Sequence, residues 1–142
     1  VNKYCLGENM KYLKDSTLLT SCLVVFFGGS LGSLFRLLIT EIPHIGSSPW
    51  VIVVINVLGS FFLAYIGAVI PDSYDYSLIL KNFIGTGIMG GFTTFSTFIL
   101  QINQLGRENF LISIIYTLIS FILAYIAVVF GKNVGKNRRL NQ

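Results

Sequence analysis

The stretch Gly85-Thr86-Gly87-Ile88-Met89-Gly90-Gly91-Phe92-Thr93-Thr94-Phe95-Ser96-Thr97-Phe98 holds the residue types best suited to chemistry in this chain. Four glycines in seven residues are costly in an ordinary helix. They predict a helix broken near its middle, at Gly87 to Gly91. Inside a bilayer such a break is tolerated only where it is buried in protein or lines a cavity. Broken helices expose carbonyl oxygens that can hold a cation. After the glycines, hydroxyls alternate with rings. Phe95 and Phe98 are three residues apart, so they share a helix face. A phenylalanine ring has a negative face and a positive edge. An anion meeting ring edges is therefore attracted without any fixed charge, and weakly enough to be released again. The plainer reading of the same pair is a packed aromatic stripe.

Other polar residues sit in equally apolar surroundings. Asn56, in Ile55-Asn56-Val57-Leu58-Gly59-Ser60, must find partners there: it either bonds to a neighbouring helix or offers its NH₂ to an anion. Gly28 and Gly32 are four apart, as are Gly29 and Ser33, a spacing that lets helices approach closely in lipid. Arg36, one turn further on, either snorkels to the interface or sets a positive potential at a mouth. Tyr116 and Ser120 face one way, four residues apart, and either pair with a neighbouring helix or line a polar track with Thr117.

The elements that position these residues follow from composition. Hydrophobic residues make up 54% of the 142 and charged residues 11%, against roughly 25% charged in soluble domains. Uncharged gaps run over 16–35, 45–71, 82–106 and 109–131. Each can supply the roughly 20 residues that cross ~30 Å of hydrocarbon. Spans are expected near 17–40, 50–70, 79–104 and 109–131, and continuous apolar runs without strand alternation make them helices. The expected organisation is a polar N-terminal tail (1–15), a transmembrane domain (16–131) and a basic C-terminal tail (132–142). Residues 1–9 carry no helix signal and read as a disordered or upstream extension before Met10. The first span is too long for a cleavable signal, and no small-residue cleavage site follows it before the next. Cys5 and Cys22 read as reduced and structural, and His44 as a solvated loop residue.

No Asp or Glu falls inside a span, which argues against a proton-driven pump or exchanger. Nor is there a nucleotide-binding loop, a Cys/His metal cluster or a serine–histidine–acid set. A passive pore or a structural membrane subunit is left, and not an enzyme.

Together these residues resemble the Fluc family, also called CrcB, of fluoride channels, over nearly the whole chain from the first span onward. Gly28-Gly29 through Arg36 is similar to the family's opening pattern, Ile55-Asn56 with Gly59-Ser60 to its second span, and 90–98 to its signature almost letter for letter. Val51-Ile52-Val53 stands where the family often has Gly-Thr-Leu, and Gln101 where it often has an acid. The resemblance implies a dual-topology dimer of two antiparallel four-helix subunits that exports fluoride passively across the cell (inner, plasma) membrane, relieving its toxicity. It implies two fluoride pores along the interface and a structural sodium ion at the centre. The sodium would be held by the backbone carbonyls of Gly90 and Thr93. The pore would use Phe95, Phe98 and Asn56, with Ser96 and Thr97 in the polar stretch, Tyr116 and Ser120 in a fourth-span track and Arg36 at the vestibule. The implied partners are fluoride, a second subunit and membrane lipid, not nucleic acid. Runner-up readings are a small multidrug-type exporter, which needs a membrane carboxylate absent here, and a subunit that transports nothing.

Four spans put both termini on one side. Lys3, Lys11, Lys14, Lys81, Lys132, Lys136, Arg138 and Arg139 share that side, eight against Arg36 and Arg107 on the other. Basic residues near span ends favour the cytoplasm. One orientation is therefore expected, with both termini inside. A chain that inserts one way calls for a second Fluc-type subunit of opposite bias.

Overall fold

The computed structural model describes residues 3–43, 48–71 and 76–140, with side chains from residue 17 onward. His44 lies outside the described residues. All regular structure among the described residues is helical: α1 (Lys3–Thr40), α2 (Pro49–Val69), α3 (Ser77–Leu80), a π-helical segment (Lys81–Met89), α4 (Gly90–Phe92), α5 (Phe95–Glu108) and α6 (Phe110–Leu140). Four stretches are long and apolar enough to cross a membrane: Thr17–Thr40, Pro49–Val69, Ser77–Glu108 and Phe110–Leu140. They match the expected spans to within a few residues, except that the third and fourth run further. The chain is an all-α, multi-pass membrane protein. Large apolar side chains such as Phe26, Phe27, Phe121 and Tyr125 point outward, as a lipid-facing surface requires.

The helices extend past the expected boundaries at both ends. The polar residues before Met10 were expected to lack helix, yet α1 is helical from Lys3, and at 1.5 Å per residue its 38 residues extend about 57 Å. The basic C-terminal segment continues α6 to Leu140. Gly131 and Gly135 bring it against the carbonyl oxygens of Phe61 and Tyr65 on α2. Arg138 Nη1 then donates to Tyr65 Oη at 3.2 Å.

Two packing layers position the third span. On one side α1 lies against the π-helical segment and α4; on the other α2 packs along α6, and α5 closes onto α6. The α1 contact is made of backbone. A Cβ added to Gly28 would lie 3.0 Å from the Cα of Gly87. One on Gly32 would overlap the carbonyl oxygen of Ile88, and one on Gly91 that of Gly29. The small residues of both segments thus serve a close crossing within one chain.

The break itself falls elsewhere than expected. The backbone stays helical through the glycine run to Phe92 and is interrupted at Thr93 and Thr94, both extended (ψ 156° and 121°). This is the midpoint of the Ser77–Glu108 span. Glycine costs helix propensity but does not forbid helix when a neighbour packs against it. What ends the first half is the capping chemistry of the second: Thr94 is the N-cap of α5, its Oγ1 accepting from Thr97 N–H at 3.3 Å. Below it, Ile52, Val53, Ile55, Phe98 and Tyr116 form the buried core.

The crossing gives a paired prediction. Gly32→Ala and Gly91→Ala should each destabilise the protein by about 1–3 kcal/mol through overpacking. Gly90→Ala should cost little, because a Cβ there meets nothing within 4 Å. Thermal unfolding in detergent measures all three; equal melting temperatures would refute this packing assignment.

Candidate ion-binding site at the helix break

Interrupting a helix leaves carbonyls without donors and N–H groups without acceptors, and in lipid each must be answered from within the protein. In an unbroken helix Thr94 N–H would reach the carbonyl of Gly90. Instead it donates to Asn56 Oδ1 at 2.9 Å, while Asn56 Nδ2 donates to Thr94 O at 3.1 Å. The amide thus takes both backbone groups of one residue. Of the two readings open for Asn56, bonding to a neighbouring helix is the one realised, though the NH₂ keeps a second hydrogen.

The remaining carbonyls are answered from α1. Ser33 Oγ donates to Gly91 O and Arg36 Nη1 to Thr93 O, each at 3.4 Å, the long end of the hydrogen-bonding range. The Arg36 guanidinium therefore points toward the break rather than snorkelling away from it. Met89 O accepts from both the N–H and the hydroxyl of Thr93, each at 3.0 Å. Gly90, whose carbonyl loses its helical donor to Asn56, sits on an exposed face.

Two hollows flank the break. A groove of about 450 Å³ is lined by Asn56, Ser60, Thr86, Gly90, Thr93 and Phe95, among others. A recess of about 290 Å³ on the far side is lined by Arg36, Leu37, Thr40, Ile52, Thr97 and Gln101. Among the described residues, no three His, Cys, Asp or Glu side chains gather. A cation here would rely on backbone oxygens, which suit a hard monovalent ion. The test of fit is mixed but favourable: Gly90 O is released by the break, whereas Thr93 O already accepts from Arg36 and has one lone pair left. One chain offers two such oxygens, an incomplete shell.

The expected site residues divide into two groups. Asn56, Phe95, Gly90 and Thr93 come together at the groove. Ser96 is exposed next to it, its Oγ 3.3 Å from Thr94 Oγ1, and Thr97 Oγ1 accepts from the same Thr94 hydroxyl at 3.1 Å. Phe98 lies inward, 5% exposed against 70% for Phe95, with its ring 5.6 Å from Tyr116 and edge-on to Phe121 at 5.9 Å. Tyr116 and Ser120 are also inward. The Tyr116 hydroxyl donates to Pro49 O at 3.0 Å and Ser120 Oγ to Tyr116 O at 2.6 Å. Within one chain these two hydroxyls brace α6 and do not line the groove. The reading above overlooked Thr94 and Thr86. Thr94 carried a legible signal, an N-cap residue three before Thr97; Thr86 carried none.

Removing the clamp tests this geometry. Asn56→Leu should cost about 1–3 kcal/mol for each backbone group of Thr94 left without a partner. Asn56→Asp, which keeps the acceptor for Thr94 N–H, should cost less. An unchanged melting temperature for Asn56→Leu would contradict the clamp.

Comparison with known proteins places this geometry in a family. A family model described as CrcB-like protein, Camphor Resistance (CrcB), matches residues 23–132. The chain is 36% identical over 119 residues to fluoride-specific ion channel FluC 1 of Rhodococcus jostii, covering 82% of this chain and 86% of the relative. It is 35% identical over 118 residues to fluoride-specific ion channel FluC of Parabacteroides distasonis (80% and 91%). It is 36% identical over 115 residues to fluoride-specific ion channel FluC 2 of Listeria monocytogenes (80% and 88%). The matched residues run from within the first span to the end of the fourth apolar stretch and include the whole break; the chain belongs to the CrcB family.

Proposed function

We propose that this chain is one subunit of a fluoride-selective channel, a passive pore and not an enzyme, that lets fluoride leave the cell down its gradient. One observation carries the reading: the groove at the break is lined by an amide, hydroxyls and a ring, with no charged side chain, while Arg36 stands just beyond it. The names of the relatives point the same way. Fluoride is small, strongly hydrated and a strong acceptor. A pore that strips its water must offer donors in return, yet hold the ion weakly enough to release it. The free hydrogen of Asn56 Nδ2, the hydroxyls of Ser60 and Thr86, and the edge of Phe95 are such donors. Phe98, Ser96, Thr97, Tyr116 and Ser120 complete the proposed pore. The groove is open on one side, so a second subunit must close it.

That subunit lies antiparallel in this proposal. Two chains would each turn Gly90 O and Thr93 O toward the shared axis, giving four oxygens. A sodium ion held there would supply a fixed central charge that ties the two breaks together. The chain's own part is to keep those carbonyls out of helical bonding, which Asn56 does at Thr94. A carboxylate for proton-coupled export is missing from the groove lining, so nothing favours the exporter reading.

Orientation follows from charge. The helices alternate, so Lys81 and the basic end of α6 share one side with the start of α1, against Arg36 and Arg107. This chain then inserts with both termini in the cytoplasm of a cell whose inner membrane it spans, and pairs with a family subunit of opposite bias.

Two measurements check these statements. In liposomes holding the conducting assembly, fluoride should leave and chloride should stay. Phe95→Ile should slow fluoride while leaving the melting temperature unchanged, because Phe95 is exposed; Phe98→Ile loses flux and also core packing. Full flux in both variants would place the pore elsewhere. A C-terminal reporter active on one face of the membrane should report only the cytoplasm when this chain is expressed alone. Comparable signal from both faces, with flux from the single chain, would mean a dual-topology homodimer.

A further inference from the structure

The groove at the break does not stop beside Phe95. Leu63, Gly85 and Thr86, which wall it, also wall a second hollow of about 170 Å³ whose other lining residues are Ile66, Gly67, Lys81 and Asn82. The two hollows share those walls and run on along the seam between α2 and the π-helical segment. Lys81 opens that segment, at the end of the third span opposite Gln101 and the Arg36 recess. Asn82 is fixed at this mouth by α1, its Nδ2 donating to Ser21 Oγ at 3.2 Å. Between Lys81 and Arg107 the third span carries no charged residue. A cation therefore stands at each end of the hollows that flank the broken helix, Lys81 at one and Arg36 at the other, and only uncharged donors lie between.

Resting on the fluoride reading, we infer that the Lys81–Asn82 end of the groove is a second entry site for a small hydrated anion. Lys81 raises the local anion concentration there, and the ion sheds its water further in. The division of labour is physical. A fixed charge in mid-pore would trap the ion, whereas the same charge at a wet mouth concentrates counter-ions and speeds entry without holding them. It also fixes what the role must look like in an experiment. A surface potential reaches about 30 Å at 0.01 M salt and about 8 Å at 0.15 M. The Lys81 contribution should therefore fade as salt rises, which a packing role would not do.

The experiment is fluoride efflux from liposomes holding the conducting assembly, at low and at physiological ionic strength. The unsubstituted chain is compared with Lys81→Arg, Lys81→Gln and Lys81→Glu, and melting temperature and assembly size are recorded for each. Lys81→Glu should slow efflux several-fold at low salt and much less at physiological salt. Lys81→Gln should fall between, and Lys81→Arg should match the unsubstituted chain. Equal rates for all four, or a Lys81→Glu loss independent of salt, would overturn the entry site while leaving fluoride conduction in place. If Lys81→Glu does not assemble, the comparison of Lys81→Gln with Lys81→Arg decides in the same way. A change in the C-terminal reporter without a change in salt dependence would assign Lys81 to topology alone and overturn the inference. Absence of fluoride efflux in the unsubstituted assembly would overturn both readings.

Discussion

Everything at the centre of this protein depends on one constraint: a helix interrupted at mid-membrane must have its freed backbone groups answered without water. Thr93 and Thr94 impose the interruption, and the answer comes from two sides. From α2, Asn56 takes both the N–H and the C=O of Thr94. From α1, Ser33 and Arg36 reach Gly91 O and Thr93 O. These partners lie 38 to 58 residues away in sequence. The break is therefore a property of the assembled bundle, not of its own segment.

The glycines make that answer possible. Ser33 and Arg36 have short reach relative to a normal helix separation, and α1 can supply them only because its backbone lies directly on that of the third span. Gly28 on Gly87 and Gly29 on Gly91 close the distance. The same approach leaves the opposite face of the third span, with Thr86 and Gly90, open toward the groove. A single choice of small residues thus buries one side of the broken helix and presents the other. The π-helical geometry of Lys81–Met89 lies along this contact, and π turns are frequent at functional sites; nothing in the packing explains its length.

Most of the scaffold was legible in the sequence. Four gaps in charge marked four spans, because hydrocarbon excludes charge over a fixed length. Boundaries outside the membrane were less legible, since polar residues before Met10 and after Gly131 are compatible with helix and tail alike. The site was half legible. Glycine density pointed to the right segment but to the wrong residues within it, because helix propensity is a weak term beside a tight neighbour, and the capping signal at Thr94 was the better guide. The fate of the polar side chains depends on tertiary partners: nothing local tells that Tyr116 reaches Pro49 O or that Asn56 spends itself on Thr94.

What unites fold and function is an uncharged, donor-lined groove on a broken helix, approached past a cation at either end. Attraction and dehydration are then separated in space, and selectivity lies with the donors around Asn56 and Phe95. The most direct measurement is the reversal potential of the conducting assembly in a planar bilayer, with fluoride on one side and chloride on the other. The account predicts a potential set by the fluoride gradient alone, strongly displaced from zero. A potential near zero, meaning that the two halides pass equally, would contradict it.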